Sequence, residues 1–337
     1  MRASRLLLAT CTASLAASSL AAAQARTPVE VVWCTAGSEP THELLSVTGA
    51  MEIAPDTLWV ADARAGVVVE FSGAGSVRRV AARSGDGPGE VRAPYYLLAL
   101  PGRSVGVYDV QRSSVEVFSP EGRFLRRIPL AVRLQNVKGV LGLPDGRIVM
   151  SGGITGNPHT VHVFDATGRL TWSWFPAPVT QNPRAGIMVG GGALASATDG
   201  SLWFSRAAPH LIARVGIGSA AADTLAVDDT LIPAIGDEFI SETIENGQLI
   251  RSFRWFFPQS RFVMERGGQL LNVVWRHDAR ESIWELYDIA ARRRVSLAAA
   301  NEAWQVWNAV RDNSLLASRI REDTGQHEFC RLRYLPR

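Results

Sequence analysis

Pro55-Asp56-Thr57-Leu58-Trp59-Val60-Ala61-Asp62 is matched further along by Pro101-Gly102-Arg103-Ser104-Val105-Gly106-Val107-Tyr108-Asp109. Each stretch opens on turn residues and runs into apolar residues that end on Asp. Nine residues after each Asp stands a Phe, within Val67-Val68-Val69-Glu70-Phe71 or Val115-Glu116-Val117-Phe118. Four residues later comes Gly75 or Gly122, so all three landmarks recur at a spacing of 47. A third unit starts at Leu143-Pro144-Asp145-Gly146, and its Phe164 and Gly168 each fall 46 residues beyond their predecessors. Further units open at Asp199-Gly200, Gly267-Gly268 and Asp312-Asn313.

Within each unit, short alternating runs rich in Val, Ile, Phe and Trp are punctuated by Gly, Asp and Pro. Such runs read as strands joined by hairpins. Four antiparallel strands in a repeat of about 40–50 residues make a propeller blade. A β-sandwich would not place Asp, Phe and Gly at a fixed spacing. The expected fold is therefore all-β, a six-bladed β-propeller of four-stranded antiparallel blades, over residues 26–337. The last unit supplies only three strands, and a spare strand around Val29–Cys34 precedes the first. Pairing these would complete the sixth blade and close the ring. Between the fourth and fifth units Asp199 and Gly267 are 68 residues apart, longer than a blade needs. The surplus, Asp237 to Phe257, reads as a short helical insertion capped by Asp237, with Phe239, Ile240 and Ile244 on one face and an end near Asn246-Gly247. It would serve as a lid or as a packing elaboration.

Gly85-Asp86-Gly87-Pro88-Gly89-Glu90-Val91-Arg92-Ala93-Pro94 lies between the first two units. It resembles the G-x-G-P-G-E-F-x-x-P linker of bacterial six-bladed, NHL-like β-propeller proteins, with Val91 in place of the usual Phe. The resemblance covers nearly the whole chain after residue 25. It implies the same fold and says little about function, because one fold hosts many.

The chain has 337 residues, a formal net charge of +3 and three cysteines. Arg2 and Arg5, an apolar Leu6–Ala23 and the A-x-A site Ala23-Gln24-Ala25 predict a secretory signal peptide over residues 1–25. Acylation at Cys11 and retention as an anchor are the alternatives. Cleavage removes two arginines and no acids, which leaves a charge of +1. Basic and acidic residues are interleaved, so no nucleic-acid partner is expected. No later segment is apolar enough to span a membrane. The expected product is a periplasmic or secreted monomer. In an oxidising compartment, the remaining Cys34 and Cys330, on strands that closure makes neighbours, are expected to form a disulfide. Two unrelated buried thiols are the other outcome.

Catalytic motifs are missing. There is no G-x-S-x-G elbow, no Gly-Lys-Ser/Thr after the Gly85–Gly89 run, no H-E-x-x-H, C-x-x-C or EF-hand loop. His159, His210, His277 and His327 fall in loops on one face of a propeller, where histidines from several blades could hold zinc. Glu52 and Asn308, on inner strands, are candidates for a lactonase-like calcium site. No cofactor is assigned, and whether any metal binds is left open.

The mouth of the channel carries the more specific pattern. The innermost strands should begin there with Tyr95, Lys138, Arg261 and Gln305 or Trp307, and Arg92 sits in the linker beside them. Arg64, Arg112, Arg206, Arg276 and Arg319 follow the second strands. Such a face suits an anion, a carboxylated glycan or an acidic peptide. Arginines simply solvated on a wide disc are the plainer alternative. Asp62 and Asp109 read as turn caps. Trp59, Trp203, Trp275 and Trp284 read as packing between blades, and Trp304 and Trp307, near an inner strand, as core or as stacking surfaces for a sugar or peptide in the channel. The function expected is that of an exported binding or interaction module, recognising a peptide, glycan or protein partner through Tyr95, Lys138, Arg261, Trp307 and Arg92. The alternative is a metal-dependent propeller enzyme, a lactonase or lyase with its site in the channel.

Overall fold

The branched and aromatic runs do become strands, because their side chains pack well on a pleated, half-buried surface. A computed structural model describes residues 29–35, 44–178, 186, 189–219, 221–227, 240–245, 248–253, 258–276, 281–300, 304–310 and 314–334. The expected signal peptide lies outside these residues.

The chain enters as β1 (Val29–Cys34) and then builds five consecutive antiparallel meanders. Blade 1 comprises β2 (Val47–Ala54), β3 (Thr57–Asp62), β4 (Val67–Ser72) and β5 (Val77–Ala82). Blade 2 comprises β6 (Pro94–Ala99), β7 (Val105–Asp109), β8 (Ser114–Phe118) and β9 (Phe124–Pro129). Blade 3 comprises β10 (Gln135–Gly142), β11 (Ile148–Gly153), β12 (His159–Phe164) and β13 (Leu170–Pro176). Blade 4 comprises β14 (Ala193–Ser196), β15 (Leu202–Arg206), β16 (Leu211–Val215) and β17 (Ala222–Val227). A hairpin of β18 (Ile240–Glu245) and β19 (Gln248–Phe253) follows. Blade 5 comprises β20 (Gln259–Arg266), β21 (Gln269–Arg276), β22 (Glu281–Asp288) and β23 (Arg293–Ala300). Blade 6 has β24 (Gln305–Ala309), β25 (Leu315–Ile320) and β26 (His327–Tyr334), with β1 added outside β26. The fold is a six-bladed β-propeller closed by its two chain ends.

The first strand of each blade lies innermost, and neighbouring blades share a hydrophobic core. Trp59 packs with Val105, Val107 and Phe118 across blades 1 and 2. Trp203 packs with Val263 and Leu270 across blades 4 and 5, and Trp284 with Val306 and Leu315 across blades 5 and 6. Ala50, Leu58 and Val60 meet Leu316 and Phe329 at the seam between blades 6 and 1. Cys34 lies opposite Cys330 in the β1–β26 pairing, and the two form a disulfide.

The insertion between blades 4 and 5 is present, but it is a hairpin and not a helix. Ile240 pairs with Phe253 and Glu245 with Gln248, leaving two residues, Asn246-Gly247, between the strands. Asn-Gly between alternating branched residues is the strongest short hairpin signal. It outweighed the helical spacing of Ile240 and Ile244. Asp237, Phe239 and residues 254–257 lie outside the described residues.

The repeated Asp is a turn cap. Asp62 is fully buried and accepts backbone hydrogen bonds from Leu45 (2.6 Å), Ser46 (3.2 Å), Arg64 (3.0 Å) and Ala65 (2.9 Å). Asp109 does the same for Arg92 (2.7 Å), Ala93 (3.3 Å), Gln111 (3.0 Å) and Arg112 (3.1 Å). Each carboxylate ties the β-turn of its blade to the segment that enters that blade. Orphaning a buried N–H costs about 1–3 kcal/mol. Asp62→Ala is therefore expected to cost roughly 3–5 kcal/mol in denaturant unfolding, and Asp62→Asn, which keeps an acceptor, distinctly less. Equal midpoints for wild type and Asp62→Ala would refute the cap.

The G-x-G-P-G-E linker is likewise held by its own residues. Glu90 accepts a hydrogen bond from the Gly87 amide at 2.7 Å, and Asp86 takes both Arg92 and Arg112. The two guanidiniums hold the Asp86 carboxyl well below the usual carboxylate range. Val91 is fully buried in the core between blades 1 and 2, so the smaller residue still seats the linker there.

Candidate functional site

The site is built on irregularities at the start of the inner strands. In blade 1 the pairing of β2 with β3 passes from Val47 to Gly49 and skips Thr48. In blade 2, β6 skips Tyr95; in blade 5, β20 skips Arg261; in blade 6, β24 skips Trp307. In blade 3, residues between Gln135 and Gly139 of β10, including Lys138, are out of register. A bulge bends the strand and re-aims the side chain of the extra residue. The same device, repeated at one end of five blades, gathers the residues that the sequence placed at the channel mouth.

Tyr95, Lys138 and Arg261 line one cavity of about 420 Å³, together with Tyr96, Asn136, Gln259 and Ser260. Lys138 and Arg261 also line a second cavity of about 300 Å³ in the channel, and Trp307 and Asn308 are on its wall. No Asp or Glu among the described residues lines either cavity. Blades 2, 3 and 5 line the first cavity, and the second also takes in blade 4. The inner strand of blade 4, β14, has only four residues and follows Gly190-Gly191-Gly192. A Cβ on Gly191 would stand 2.9 Å from Cγ of Lys138, so glycine is what lets the lysine stem lie against blade 4.

The electrostatics follow from this setting. Burial, and after it the positive charge of Arg261, brings Lys138 from the ordinary 10.5 down to about 8. Burial also pulls the Arg261 guanidinium below its usual value, while Tyr96 and Tyr95 act in the opposite sense. Burial pushes the Tyr96 phenol up, out of the range where it would ionise near neutrality, and its hydroxyl donates to the carbonyl of Val137 at 3.0 Å. Two cationic side chains thus line one cavity with no acidic residue among its described lining.

Apart from Arg64, the other arginines of this face are committed elsewhere. Arg92 pairs with Asp86 and does not line the cavities, so it is not brought together with Tyr95, Lys138, Arg261 and Trp307. Arg112 binds the linker carbonyls of Gly85 and Glu90. Arg206 is buried against the carbonyls of Pro209 (3.2 Å) and Pro176 (3.3 Å). Arg276 pairs with Glu281 at 3.2 Å and Arg319 with Glu328 at 2.7 Å, while Arg64 is exposed.

The described histidines do not cluster: His159 and His162 share β12 of blade 3, while His210 and His327 belong to blades 4 and 6. His159 contacts Asn157, and His162 lies buried between Ser173 and Gly152, where burial lowers it to about 4. His210 is buried 3.0 Å from Glu285. His327 starts β26, and His42 and His277 lie outside the described residues. Glu52 is engaged by Arg331 of blade 6 and does not share the channel cavity with Asn308. Among the described residues, the one group of three suited to a metal is Cys34, Glu328 and Cys330, where the two sulfurs are bonded to each other. Trp59, Trp203 and Trp284 are fully buried as expected. Trp275 is only half-buried and lines a cleft between blades 5 and 6, a correction to its reading as interblade core. β21 outruns the core there: its end pairs with Gln259 and Ser282 beside the mouth.

Sequence reasoning missed the polar floor of the site. Ser260 meets Ser205 at 2.6 Å, both hydroxyls reach Asn272, and Asn272 donates to Glu285 at 2.7 Å. Burial works to raise the Glu285 carboxyl, but bonds from His210, Tyr287 and Asn272 outweigh it and hold it low. Serine and asparagine on strands of different blades carry no local signal for such a network.

No protein-family model matches the chain, and no curated protein sequence does either. Solved structures share the fold. A member of the DUF4221 family from Bacteroides vulgatus aligns with TM-score 0.61 at 10% identity, over 90% of this chain and 98% of that one. A Bacteroides fragilis structure named a "putative exported protein" aligns with TM-score 0.57 at 13% identity, over 91% and 95%. Virginiamycin B lyase from Staphylococcus aureus aligns with TM-score 0.53 at 10% identity, over 90% and 98%. Identities this low establish the shared propeller architecture alone. No helix among the described residues is long and apolar enough to cross a membrane.

Proposed function

We propose that this is an exported propeller of the NHL-like kind that acts as a binding module, recognising a carboxylate-bearing group of a peptide, glycan or partner protein at the channel mouth. The observation that carries this reading is the convergence of Lys138 and Arg261, from blades 3 and 5, on one cavity with no acidic residue among its described lining. The A-x-A site, the disulfide and an exported protein among the structures of like fold support the compartment. A channel enzyme of lactonase or lyase type would need three ligands converging near the axis, and no observation favours it over binding.

The test is a titration with N-acetylglycine, a minimal carboxylate, against its neutral amide. The carboxylate is expected to bind and the amide not. An anion favours protonated Lys138 and raises its pKa, so affinity should be level below about pH 7 and fall as pH rises through about 8. Between pH 7 and 9 the loss should reach about tenfold. Arg261, Tyr95 and Tyr96 line the cavity with Lys138, and burial raises the Tyr96 phenol, so it stays neutral in that window. In the free protein the sign is opposite: between about 8 and 10.5 the unfolded chain binds more protons, so Lys138 makes stability rise with pH. Equal binding of the amide, or a flat pH profile, would overturn the reading.

A further inference from the structure

Arg261 lines a third cavity besides the two at the channel mouth. This is the cleft of about 330 Å³ between blades 5 and 6, walled by Trp275 and Trp304 with Ile320 and Gln305 beside them. Its entrance is open, since Ile320 is exposed, whereas Trp304 is buried at the base. The second guanidinium in the cleft, that of Arg319, is already occupied. It lies 4.7 Å over the Trp304 ring and pairs with Glu328. Arg261 makes no ion pair among the described residues, so it is the cation left to act on an occupant of either cavity. The bulge of β20 explains how one residue serves both, because it turns Arg261 out of the alternation between Ser260 and Phe262.

We infer that the cleft is the apolar arm of the same site, and that the ligand carries an aromatic ring next to its carboxylate. The carboxylate sits at Arg261 and Lys138, and the ring enters the cleft against the half-buried indole of Trp275. The Trp275 indole favours a ring over an aliphatic chain, since offset and edge-on ring contacts add to burial. The volume is at the lower end for small-molecule pockets and suits one ring with its linker. A free aromatic acid and a peptide ending in Phe, Tyr or Trp share this chemistry. The inference rests on the carboxylate reading of the mouth.

Calorimetric titration tests it with N-acetylphenylalanine, N-acetylphenylalanine amide, N-acetylglycine and a hexapeptide ending in Phe. N-acetylphenylalanine is expected to bind about 10- to 100-fold more tightly than N-acetylglycine, from burial of the ring. Trp275→Ala should bring it down to the N-acetylglycine level and leave N-acetylglycine unchanged, and Trp275→Phe should restore most of the difference. Tighter binding of the hexapeptide than of N-acetylphenylalanine would identify a peptide C-terminus as the source, and weaker binding a free acid. Equal binding of the two carboxylates, indifferent to Trp275→Ala, would overturn the aromatic arm and leave the carboxylate reading standing. Failure of both carboxylates to bind would overturn the two together.

Discussion

Reduction of the Cys34–Cys330 bridge is expected to lower the melting temperature by several degrees, and Cys34→Ala should do the same without reductant. The two residues are 296 apart in sequence, so the bridge closes a loop of nearly the whole chain. The chain-entropy model gives an upper value of about 5–6 kcal/mol for such a loop. For a domain of this length that corresponds to roughly 8 °C. The clasp depends on the bridge because β1 contributes little else: Val31 and Val32 are 46% and 44% exposed, and the strand holds β26 chiefly by backbone pairing. Blades 6 and 1 also share their own core, with Leu316 and Phe329 against Ala50 and Leu58. The reduced protein should therefore stay folded at room temperature and melt earlier. An unchanged melt with both thiols shown to be free would refute the clasp.

The double variant Lys138→Ala, Arg261→Ala is expected to weaken N-acetylglycine binding by about 100-fold or more, since each charge-assisted hydrogen bond contributes about 1.5–3 kcal/mol. Its melting temperature should be unchanged or higher. The two cations disfavour one another and are poorly hydrated, so removing both relieves a cost of folding. Either unaltered binding or collapse of the fold would count against the site. Arg92→Ala is the informative contrast, because its partner is Asp86 in the linker and the cavities do not include it.

The period of the sequence determined the blades. Asp62 and Asp109, 47 residues apart, hold equivalent turns, and Phe71 and Phe118 stand near the ends of equivalent strands. The ring closure was legible as well, since a chain with one strand too few at its end and one to spare at its start has a single economical pairing. These are local patterns repeated, and each unit can be read without knowing the others. The insertion was legible in place but not in type, because Ile240 and Ile244 fit a helical face and a strand equally and only the pairing with β19 decides.

The tertiary structure alone brought Lys138 of blade 3 and Arg261 of blade 5 to one cavity. From sequence, Arg92 was expected at the mouth beside Arg261, with Arg112, Arg206, Arg276 and Arg319 on the same face. Asp86 lies in the same linker as Arg92, and Glu281 and Glu328 face Arg276 and Arg319 across hairpins, whereas Arg206 reaches Pro176 of blade 3 only when blades are stacked. The bulges at Tyr95, Arg261 and Trp307 likewise leave no mark in the residue pattern. Strand alternation has a period of two, so one extra residue reverses every face beyond it, and whether a bulge forms is settled by the strand alongside. Short-range periodicity thus specified the blades, while the contents of the channel depended on contacts between blades far apart in the chain.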